Sequence, residues 1–413
     1  MPARKITQRS ESSWRCFALR KPLFEKIKSL KETGDDFAYF CKFTDQERLH
    51  GDEVLFETRE RPYLFNKDVR SALDETIPEL IMASHVEKPQ VPIFTSFGMV
   101  QETLGIKSRH ERTWPMMGTI LPQEISHGFF IRENKTPFNN AHSAVDITRN
   151  DQVRLEQNIS GIVERIREGE ALQVVLSQHF EVEEFDGADI LQYLLLNDRS
   201  RYVYYYKFGD KEIIGSSPEN VFRKKGSTIT VNPIAGTRKR YTDSDENLIS
   251  SLVNDSKELC EHRMLVDLAR NDLSRIGIPG SVNVTGNMQP EKFYSVIHLT
   301  SGVQAESDPG NSNYSIFSSL FPAGTVSGAP KIRAIEIIDE YETRGRGPYG
   351  GAVGIIGEND MDMALTIRSA FMNKGKAYTQ AGAGIVKDSV PHKEVEEIIA
   401  KAGTIMAGGL VCA

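Results

Sequence analysis

The order of predicted strands and helices constrains the fold of this chain more than any other feature. Apolar residues recur at helical spacing over 151–168, and shorter apolar or alternating runs indicate strands. The predicted strands are 173–177, 202–208, 213–215, 228–231, 293–303, 352–356 and 361–371, and the predicted helices are 151–168, 257–273, 330–341 and 391–406. Strands come in groups that helices interrupt, without the regular alternation of a doubly wound parallel sheet. This order predicts an α+β fold.

The first 145 residues have a less regular pattern. β-like runs at 53–56 and 91–94 are broken by charged residues, Pro and Gly. The stretch 132–140 is polar and turn-rich, which predicts a connector. We therefore expect an N-terminal region over 1–145 and a main region over 146–413, packed into one overall fold.

Composition excludes several classes of protein. The net charge of −7 argues against a broad nucleic-acid surface, and no apolar run approaches the roughly 20 residues of a membrane span. The first 20 residues lack the apolar segment of a secretory signal, although their basic, serine-bearing character leaves a transit peptide open. We expect a cytosolic protein.

The cysteines exclude two further kinds of site. Cys16, Cys41, Cys260 and Cys412 are far apart, and none forms a C-x-x-C motif. Zinc ribbons and dithiol redox sites are therefore excluded, and a disulfide framework is not expected.

A G-x-G-x-x-G motif occupies 345–350. A dinucleotide site needs a strand before the glycines and a helix after them. Here the predicted helix precedes the motif and the predicted strand follows it. The motif is therefore not interpreted as a nucleotide site.

Two pairs of glutamates are spaced three residues apart. Glu258 and Glu261 share one helical arc with Leu265 and Leu268, which places the acids at the rim of a core or cleft. Glu394 and Glu397 begin the last predicted helix. Such pairs could supply oxygen ligands to Mg²⁺. The alternative is a solvated face for the first pair and helix-dipole compensation for the second.

Four other features have both a functional and a structural interpretation. The small-residue loop 324–331 precedes a helix and predicts either an anion site or a capping turn. Arg368 is predicted on a strand face with small neighbours, which suits a carboxylate site or a solvent-facing strand; these neighbours are Ala364, Thr366 and Ala370. His298 lies in an apolar strand, as either a core histidine or an acid or base. The glycines in 382–384 indicate a close backbone approach or a turn.

Seven short strings, in order along residues 150–413, resemble the chorismate-utilising enzymes. They are QVVLSQ at 173–178, GSSPE at 215–219, PIAGTR at 233–238, EHRMLVDLARND at 261–272, GAPK at 328–331, GPYGGAV at 347–353 and AGAGIV at 381–386. Within these enzymes the strings are most similar to the anthranilate synthase component I family, the large aminase subunits. The resemblance implies face-to-face sheets flanked by helices, with a chorismate-binding catalytic domain over 146–413.

The resemblance also implies a reaction and its metal. Enzymes of this family are carbon–oxygen lyases that convert chorismate and ammonia to anthranilate and pyruvate, the first step of tryptophan biosynthesis, with Mg²⁺. Glu261 and Glu397 match the direct metal ligands, and Glu258 and Glu394 match the acids that reach the ion through water. The metal would hold the ring carboxylate of chorismate.

Roles at the substrate follow from the same resemblance. Glu219 matches the general acid for the departing 4-hydroxyl, and His298 matches the histidine associated with loss of pyruvate. The remaining matches are the binders of the enolpyruvyl carboxylate and the residues that line their pocket: Tyr349, Arg368, the Gly384 backbone, Thr325 and Gly328.

Two positions separate this chain from related activities. Family members that add water carry Lys where this chain has Gln173, and a lysine of lowered pKa can deprotonate water. Aminodeoxychorismate synthases typically carry Lys where this chain has Ala235. Both positions favour addition of ammonia at C2. Aminodeoxychorismate synthase, isochorismate synthase and a non-catalytic tryptophan- or chorismate-binding regulator are the alternatives.

The resemblance implies a partner and a regulator. A class-I glutaminase needs a nucleophilic cysteine, and the four cysteines lie in no elbow-like glycine context, so a separate glutamine amidotransferase subunit is expected. Feedback by L-tryptophan is expected from an acid–hydroxyl pair closed by a second segment. The matching residues are Glu57, Thr58, Ser200 and Tyr202.

Overall fold

The computed structural model describes residues 22–44, 49–84, 88–132, 147–183, 185–198, 200–240, 242–292 and 296–409. Two large sheets dominate this part of the chain. The strands are β1 (Asp36–Phe43), β2 (His50–Thr58), β3 (Tyr63–Phe65), β4 (Gln90–Thr95), β5 (Met117–Thr119), β6 (Glu124–Ile131), β7 (Gln173–Val182), β8 (Tyr202–Phe208), β9 (Lys211–Ser217), β10 (Asn220–Lys225), β11 (Thr228–Val231), β12 (Ile234–Lys239), β13 (Asn283–Lys292), β14 (Val296–Glu306), β15 (Gly328–Ala329), β16 (Ala352–Gly357), β17 (Asp360–Leu365), β18 (Ser369–Asn373) and β19 (Lys376–Ile385).

Helices cover the outer faces and several connections. They are α1 (Pro22–Thr33), α2 (Val69–Ser71), α3 (Ile77–Ala83), α4 (Val100–Thr103), α5 (Arg149–Arg167), α6 (Gly187–Asn197), α7 (Asp245–Val253), α8 (Ser256–Ser274), α9 (Asn313–Leu320), α10 (Lys331–Tyr341) and α11 (Pro391–Gly409). A short π-helix over Ala72–Thr76 joins α2 to α3, and 3₁₀ helices occupy Phe97–Met99 and Gly324–Val326. None of the described helices is long and apolar enough to span a membrane.

The first sheet has the strand order β15-β7-β19-β18-β9-β8-β1-β2-β6. The second has the order β12-β14-β11-β10-β17-β16-β4-β5-β3, with β13 also paired to β14. Neighbouring strands pair antiparallel, as in β7 with β19 and β12 with β14. Together with the interspersed helices, these antiparallel sheets confirm the predicted α+β class.

Successive side chains of a strand point to opposite faces of its sheet, and here both faces carry apolar residues. The two sheets therefore pack face to face on one side and against helices on the other. In β8, Tyr202, Tyr204 and Tyr206 point into the core between the sheets, and the Tyr206 hydroxyl donates to the Gly354 carbonyl of the second sheet at 2.7 Å. Val203 and Tyr205 point the other way, into a core shared with α1 and α6. A third core packs α5, α10 and α11 against β7 and β19.

Most predicted elements of the main region are present with small differences at their ends. The β8 and β11 strands have the predicted bounds, and α5 and α8 match their predictions within two residues. Pro330 caps α10 instead of occupying its first turn. The segment 345–350 lies between α10 and β16, which confirms that its glycines do not follow a strand.

One predicted strand is wrong. The stretch 361–371 is divided between β17 in the second sheet and β18 in the first. Arg368 lies between them with φ of +48°, a left-handed conformation outside the β region of regular strands. Arg368 therefore does not share a strand face with Ala364, Thr366 and Ala370.

The N-terminal region is built into both sheets. β1, β2 and β6 extend the first sheet beyond β8, whereas β4, β5 and β3 extend the second beyond β16. Residues 133–140 of the predicted connector lie outside the described residues. So do Cys16, Cys412 and the start of the strand predicted at 293. The division at residue 145 stays a prediction.

Candidate active site

Glu219 is a buried acid at the end of the β9–β10 connection. Its side chain is only 8% exposed, and the Thr325 hydroxyl donates to Glu219 Oε1 at 2.8 Å. Burial raises the pKa of Glu219 to about 8, against the smaller opposing effect of the Thr325 hydrogen bond. The group is therefore mostly protonated at neutral pH and can donate a proton to a substrate. Glu219 and Thr325 line one cavity with Leu265 and Leu268 of α8.

His298 is a buried histidine on β14. Its Nδ1 lies 2.9 Å from the Gly236 carbonyl and 3.1 Å from the Thr237 hydroxyl. Because a carbonyl only accepts hydrogen bonds, Nδ1 carries the proton and Nε2 holds the lone pair. Burial lowers the pKa of His298 to about 4, with smaller contributions from the charges of Arg368 and Lys401. The ring is neutral at pH 7 and can accept a proton.

Both glutamate pairs lie in one acidic cluster at the N-terminal parts of α8 and α11. Burial raises the pKa of Glu261, and the charges of Glu258, Glu394 and Glu397 raise it further against the effect of Lys257. Burial also raises the pKa of Glu394, with a further contribution from Glu397. The two pairs, far apart in sequence, are therefore electrostatic neighbours in the fold.

Cations partly balance this acidic cluster. Arg238 Nη1 lies 3.2 Å from Glu258, Lys401 Nζ lies 2.6 Å from Glu397, and Lys257 Nζ lies 3.8 Å from Glu261. No three Asp, Glu, His or Cys side chains of the described residues are already arranged around one metal position. The hard oxygen donors suit Mg²⁺, which in binding would replace these ion pairs as the counter-charge.

Arg368 supplies a positive charge near His298. Its backbone carbonyl accepts from Ser216 N at 3.1 Å, which fixes the left-handed residue against β9. Within the part of the chain that the structure describes, its guanidinium has no ion pair or hydrogen bond. A partly buried guanidinium without a partner is well suited to bind a carboxylate.

The glycines of β19 allow side chains to approach the strand closely. A Cβ at Gly382 would lie 2.7 Å from the Tyr349 hydroxyl, and one at Gly384 would lie 2.5 Å from Gln173 Nε2. Gln173 Oε1 is buried and has no hydrogen-bond partner among the described residues. These glycines therefore bring Tyr349 and Gln173 onto the same stretch of β19.

The remaining predicted residues lie on neighbouring elements. Gly328 pairs with Val174 at the start of β7. Ala235 lies on β12 opposite Leu299, the residue that follows His298 on β14. Sequence reasoning missed Lys401, which donates to the Gly382 carbonyl at 3.1 Å and contributes to the low pKa of His298. The signal that could have found it is the four-residue spacing from Glu397, which puts both side chains on one helix face.

The four residues assigned to tryptophan feedback do not form one pocket. Glu57 pairs with Phe37 at one end of β1, whereas Tyr202 pairs with Lys42 at the other. The separation along the strand is about 17 Å, five residues at about 3.4 Å each. Strand register thus places the two halves of the predicted site at opposite ends of β1 and does not bring them together.

Each half of that set has local partners. Glu57 pairs with Lys26 of α1, and the Thr58 hydroxyl accepts from Glu60 N at 3.1 Å. The Tyr202 hydroxyl donates to Asp362 at 2.9 Å. The Ser200 hydroxyl is buried, and none of the residues that the structure describes forms a hydrogen bond with it.

Comparison with known proteins identifies the family. A family model described as chorismate binding enzyme matches residues 85–407. The chain is 46% identical over 254 residues to anthranilate synthase component 1 of Acetivibrio thermocellus, covering 60% of this chain and 51% of that protein. The chain thus spans about half the length of the curated relatives it matches.

Solved structures give the same result over a longer range. The crystal structure of anthranilate synthase component I from Streptococcus pneumoniae TIGR4 superimposes with a TM-score of 0.70 at 31% identity, covering 90% of this chain and 92% of that one. A putative 2,3-dihydroxybenzoate-specific isochorismate synthase from Bacillus anthracis shares the fold, with a TM-score of 0.72 at 22% identity over 93% of this chain and 99% of that one. The buried acid, the neutral histidine and the acidic cluster therefore lie in a member of the chorismate binding enzyme family.

Proposed function

We propose that the chain converts chorismate and ammonia to anthranilate, pyruvate and water, as an anthranilate synthase component I. The observation that carries the proposal is Glu219, an acid whose pKa of about 8 leaves it roughly nine-tenths protonated at pH 7. A protein that only bound chorismate would have no need of a proton donor hydrogen-bonded in its cavity. The likeness to anthranilate synthase components supports the same choice.

In the first step, ammonia forms a bond to C2 of the ring. The double bond shifts, the C4–oxygen bond breaks, and the oxygen leaves as water with the proton of Glu219. Proton donation to an otherwise poor leaving group is the standard contribution of a general acid. The Thr325 hydroxyl then stabilises the carboxylate that Glu219 becomes.

In the second step, His298 removes the proton from C2. The bond between the ring and the enolpyruvyl oxygen breaks, and the ring becomes aromatic. The leaving group departs as the enolate of pyruvate and takes a proton at its methylene carbon to become pyruvate. The neutral ring with its proton on Nδ1 suits this role because Nε2 holds a lone pair. The Gly236 carbonyl would stabilise the imidazolium that forms.

Substrate carboxylates are bound at two places. Arg368 and the hydroxyl of Tyr349 would hold the enolpyruvyl carboxylate, with the Gly384 backbone as a further donor. The Thr325 and Gly328 segment lines the same space. The partly buried Arg368 guanidinium supports this assignment, since it has no other anionic partner among the described residues.

The acidic cluster is proposed to hold Mg²⁺. Glu261 and Glu397 would bind it directly, and Glu258 and Glu394 through water. When bound, the ion supplies positive charge that holds the ring carboxylate of chorismate. Burial raises the pKa of Glu261, and the charges of Glu258, Glu394 and Glu397 raise it further, which supports a site built for a cation.

Ammonia is the proposed nucleophile because no base stands at either discriminating position. Gln173 cannot deprotonate water, and Ala235 cannot attack C2. We therefore expect neither isochorismate nor the 4-amino isomer as the main product. Ammonia is proposed to come from glutamine through a separate glutaminase subunit, in a cytoplasmic complex.

Inhibition by L-tryptophan is a further part of the proposal and rests on the family resemblance. It is not assigned to the residues first matched to it, since those residues do not form one pocket.

Anthranilate fluorescence tests the proposed function directly. The purified chain is mixed with chorismate, Mg²⁺ and an ammonium salt, and products are separated by chromatography. We expect the 2-amino product and equimolar pyruvate, and no product from Glu219→Gln. A main product of 4-amino isomer or isochorismate would refute the assignment.

A further inference from the structure

A fully enclosed ion pair lies behind the proposed site. Arg346 is 4% exposed and Glu342 is 8% exposed. Arg346 Nε lies 2.9 Å from Glu342 Oε2, and Nη2 lies 2.6 Å from Oε1, a two-point arrangement. Removing both charges from water is costly, and apolar replacements of such pairs are often neutral or stabilising. Stability alone therefore does not account for this pair.

The guanidinium also holds two backbone segments of the site. Nη1 donates to the Val326 carbonyl and Nη2 donates to the Val175 carbonyl, each at 2.6 Å. Val326 follows Thr325, the hydrogen-bond partner of Glu219. Val175 pairs with Gly384 on β19. One planar group thus fixes the distance between the Thr325 turn and the β7–β19 pair.

The carboxylate extends the same clamp along β7. Glu342 Oε1 accepts from Ser177 N at 2.9 Å and from the Ser177 hydroxyl at 2.6 Å. Gln380 of β19 donates to that hydroxyl at 2.8 Å. Both strands are therefore tied to the loop that follows α10.

That loop carries Tyr349. Its amide donates to the Arg346 carbonyl at 3.2 Å, and the Arg346 guanidinium lies 5.6 Å from the centre of its ring. The guanidinium also lies 4.6 Å from the centre of the Phe97 ring. Arg346 thus contacts or directly adjoins three elements proposed to bind substrate, and it is not itself placed against the substrate.

We propose that Arg346, oriented by Glu342, is the positioning residue of the enolpyruvyl-carboxylate subsite. It sets the relative position of Thr325, the Gly384 backbone and Tyr349. Lysine cannot replace it, because one ammonium lacks the planar fork that reaches a carboxylate and two carbonyls together. This inference rests on the proposed function.

The test compares Arg346→Ala and Arg346→Lys with a buried arginine remote from the site. Arg132 is 2% exposed, donates to the Leu195 carbonyl at 2.7 Å, and stacks on Phe43. Arg132→Ala removes a comparable buried guanidinium. It therefore measures how much stability such a loss costs without a change at the proposed site. Melting temperature, kcat and KM for chorismate are measured for each variant.

We expect both Arg346 variants to raise KM and to lower kcat/KM by about 100-fold, the scale of a misplacement of about 1 Å. Arg132→Ala should lose a similar amount of melting temperature and keep the wild-type KM. Added guanidinium ion should restore part of kcat/KM to Arg346→Ala and none to Arg346→Lys, whose ammonium fills the space.

A wild-type KM in both Arg346 variants would overturn the inference. This holds even if kcat is reduced, because a smaller fraction of folded protein lowers the apparent kcat and leaves KM unchanged. If Arg346→Ala does not fold, Arg346→Lys decides alone. Absence of turnover by the wild type would refute the proposed function instead. The same variants are then compared by calorimetric chorismate binding, where an unchanged Kd overturns the positioning role.

Discussion

Replacing Glu219 with Gln is expected to inactivate the protein and to make it more stable. Glu219 ionises near pH 4.5 when exposed and near pH 8 in the fold. Between these values the unfolded chain releases a proton that the folded chain keeps. Stability therefore falls as pH rises through this window, by about 1.4 kcal/mol for each pH unit.

The size of the effect follows from those two pKa values. At pH 7 the ionisable side chain costs the fold roughly 3 kcal/mol relative to a neutral one, and at pH 5 about 1 kcal/mol. Glutamine has nearly the same shape, is neutral at every pH, and can still accept from the Thr325 hydroxyl through its amide oxygen. The stability advantage of Glu219→Gln should thus grow by roughly 2 to 3 kcal/mol from pH 5 to pH 7.

Urea unfolding followed by tryptophan fluorescence at pH 5, 6 and 7 measures this difference. Subtracting wild type from variant at each pH removes the contribution of the other titrating groups. A stability difference that does not change with pH would show that Glu219 ionises normally, and the general-acid assignment would lose its physical basis.

Three further outcomes are expected. A chelator should abolish turnover, and Glu261→Gln or Glu397→Gln should lower kcat by orders of magnitude, because a missing charged ligand removes several kcal/mol of stabilisation; full activity in excess chelator contradicts the metal site. Thr325→Val should move the alkaline limb of the rate, expressed per free NH₃, to higher pH, since the hydroxyl lowers the pKa of Glu219; a shift to lower pH contradicts that link. L-Tryptophan should inhibit ammonia-dependent turnover at millimolar concentration, and Thr58→Ala should be inhibited to the same extent. An unaffected rate of the wild type contradicts feedback, whereas weaker inhibition of Thr58→Ala would support the Thr58 assignment.

Local patterns predicted the elements well where one face of an element is buried. The β8 strand has its predicted bounds because alternate tyrosines serve two different cores. The α5 helix was predicted from its apolar stripe, which packs against β7 and β19. These apolar patterns lie within one element, so the sequence of that element is sufficient to predict it.

The break at Arg368 could not be read in this way. Residues on both sides of it alternate as a strand should, and nothing in the residue type favours a left-handed conformation. The conformation is imposed by the two sheets, since β17 belongs to one and β18 to the other. The prediction that Arg368 binds an anion has a sound chemical basis, but it assigned the residue to a strand and not to the connection between β17 and β18.

The site was predicted mainly through resemblance. Spacing alone suggested an acid site at Glu258 and Glu261, but gave no reason to join it to Glu394 and Glu397. The two pairs become neighbours only through the packing of α8 and α11, which places the charges of Glu394 and Glu397 close enough to raise the pKa of Glu261. The failed feedback assignment has the same cause, because strand register is a long-range property.

The way the N-terminal strands are shared between the two sheets has a consequence for dividing the chain. β1 covers the edge of β8 along Phe37–Lys42 and Tyr202–Lys207, and β4 covers the edge of β16 along Gln90–Thr95. A fragment that starts at residue 146 would keep every proposed catalytic residue and uncover both edges. Each would present a row of unpaired backbone donors and acceptors, the template on which strands of other molecules add. Such a fragment should aggregate through two separate surfaces, so the first 145 residues keep the catalytic half monodisperse while contributing none of its proposed chemistry.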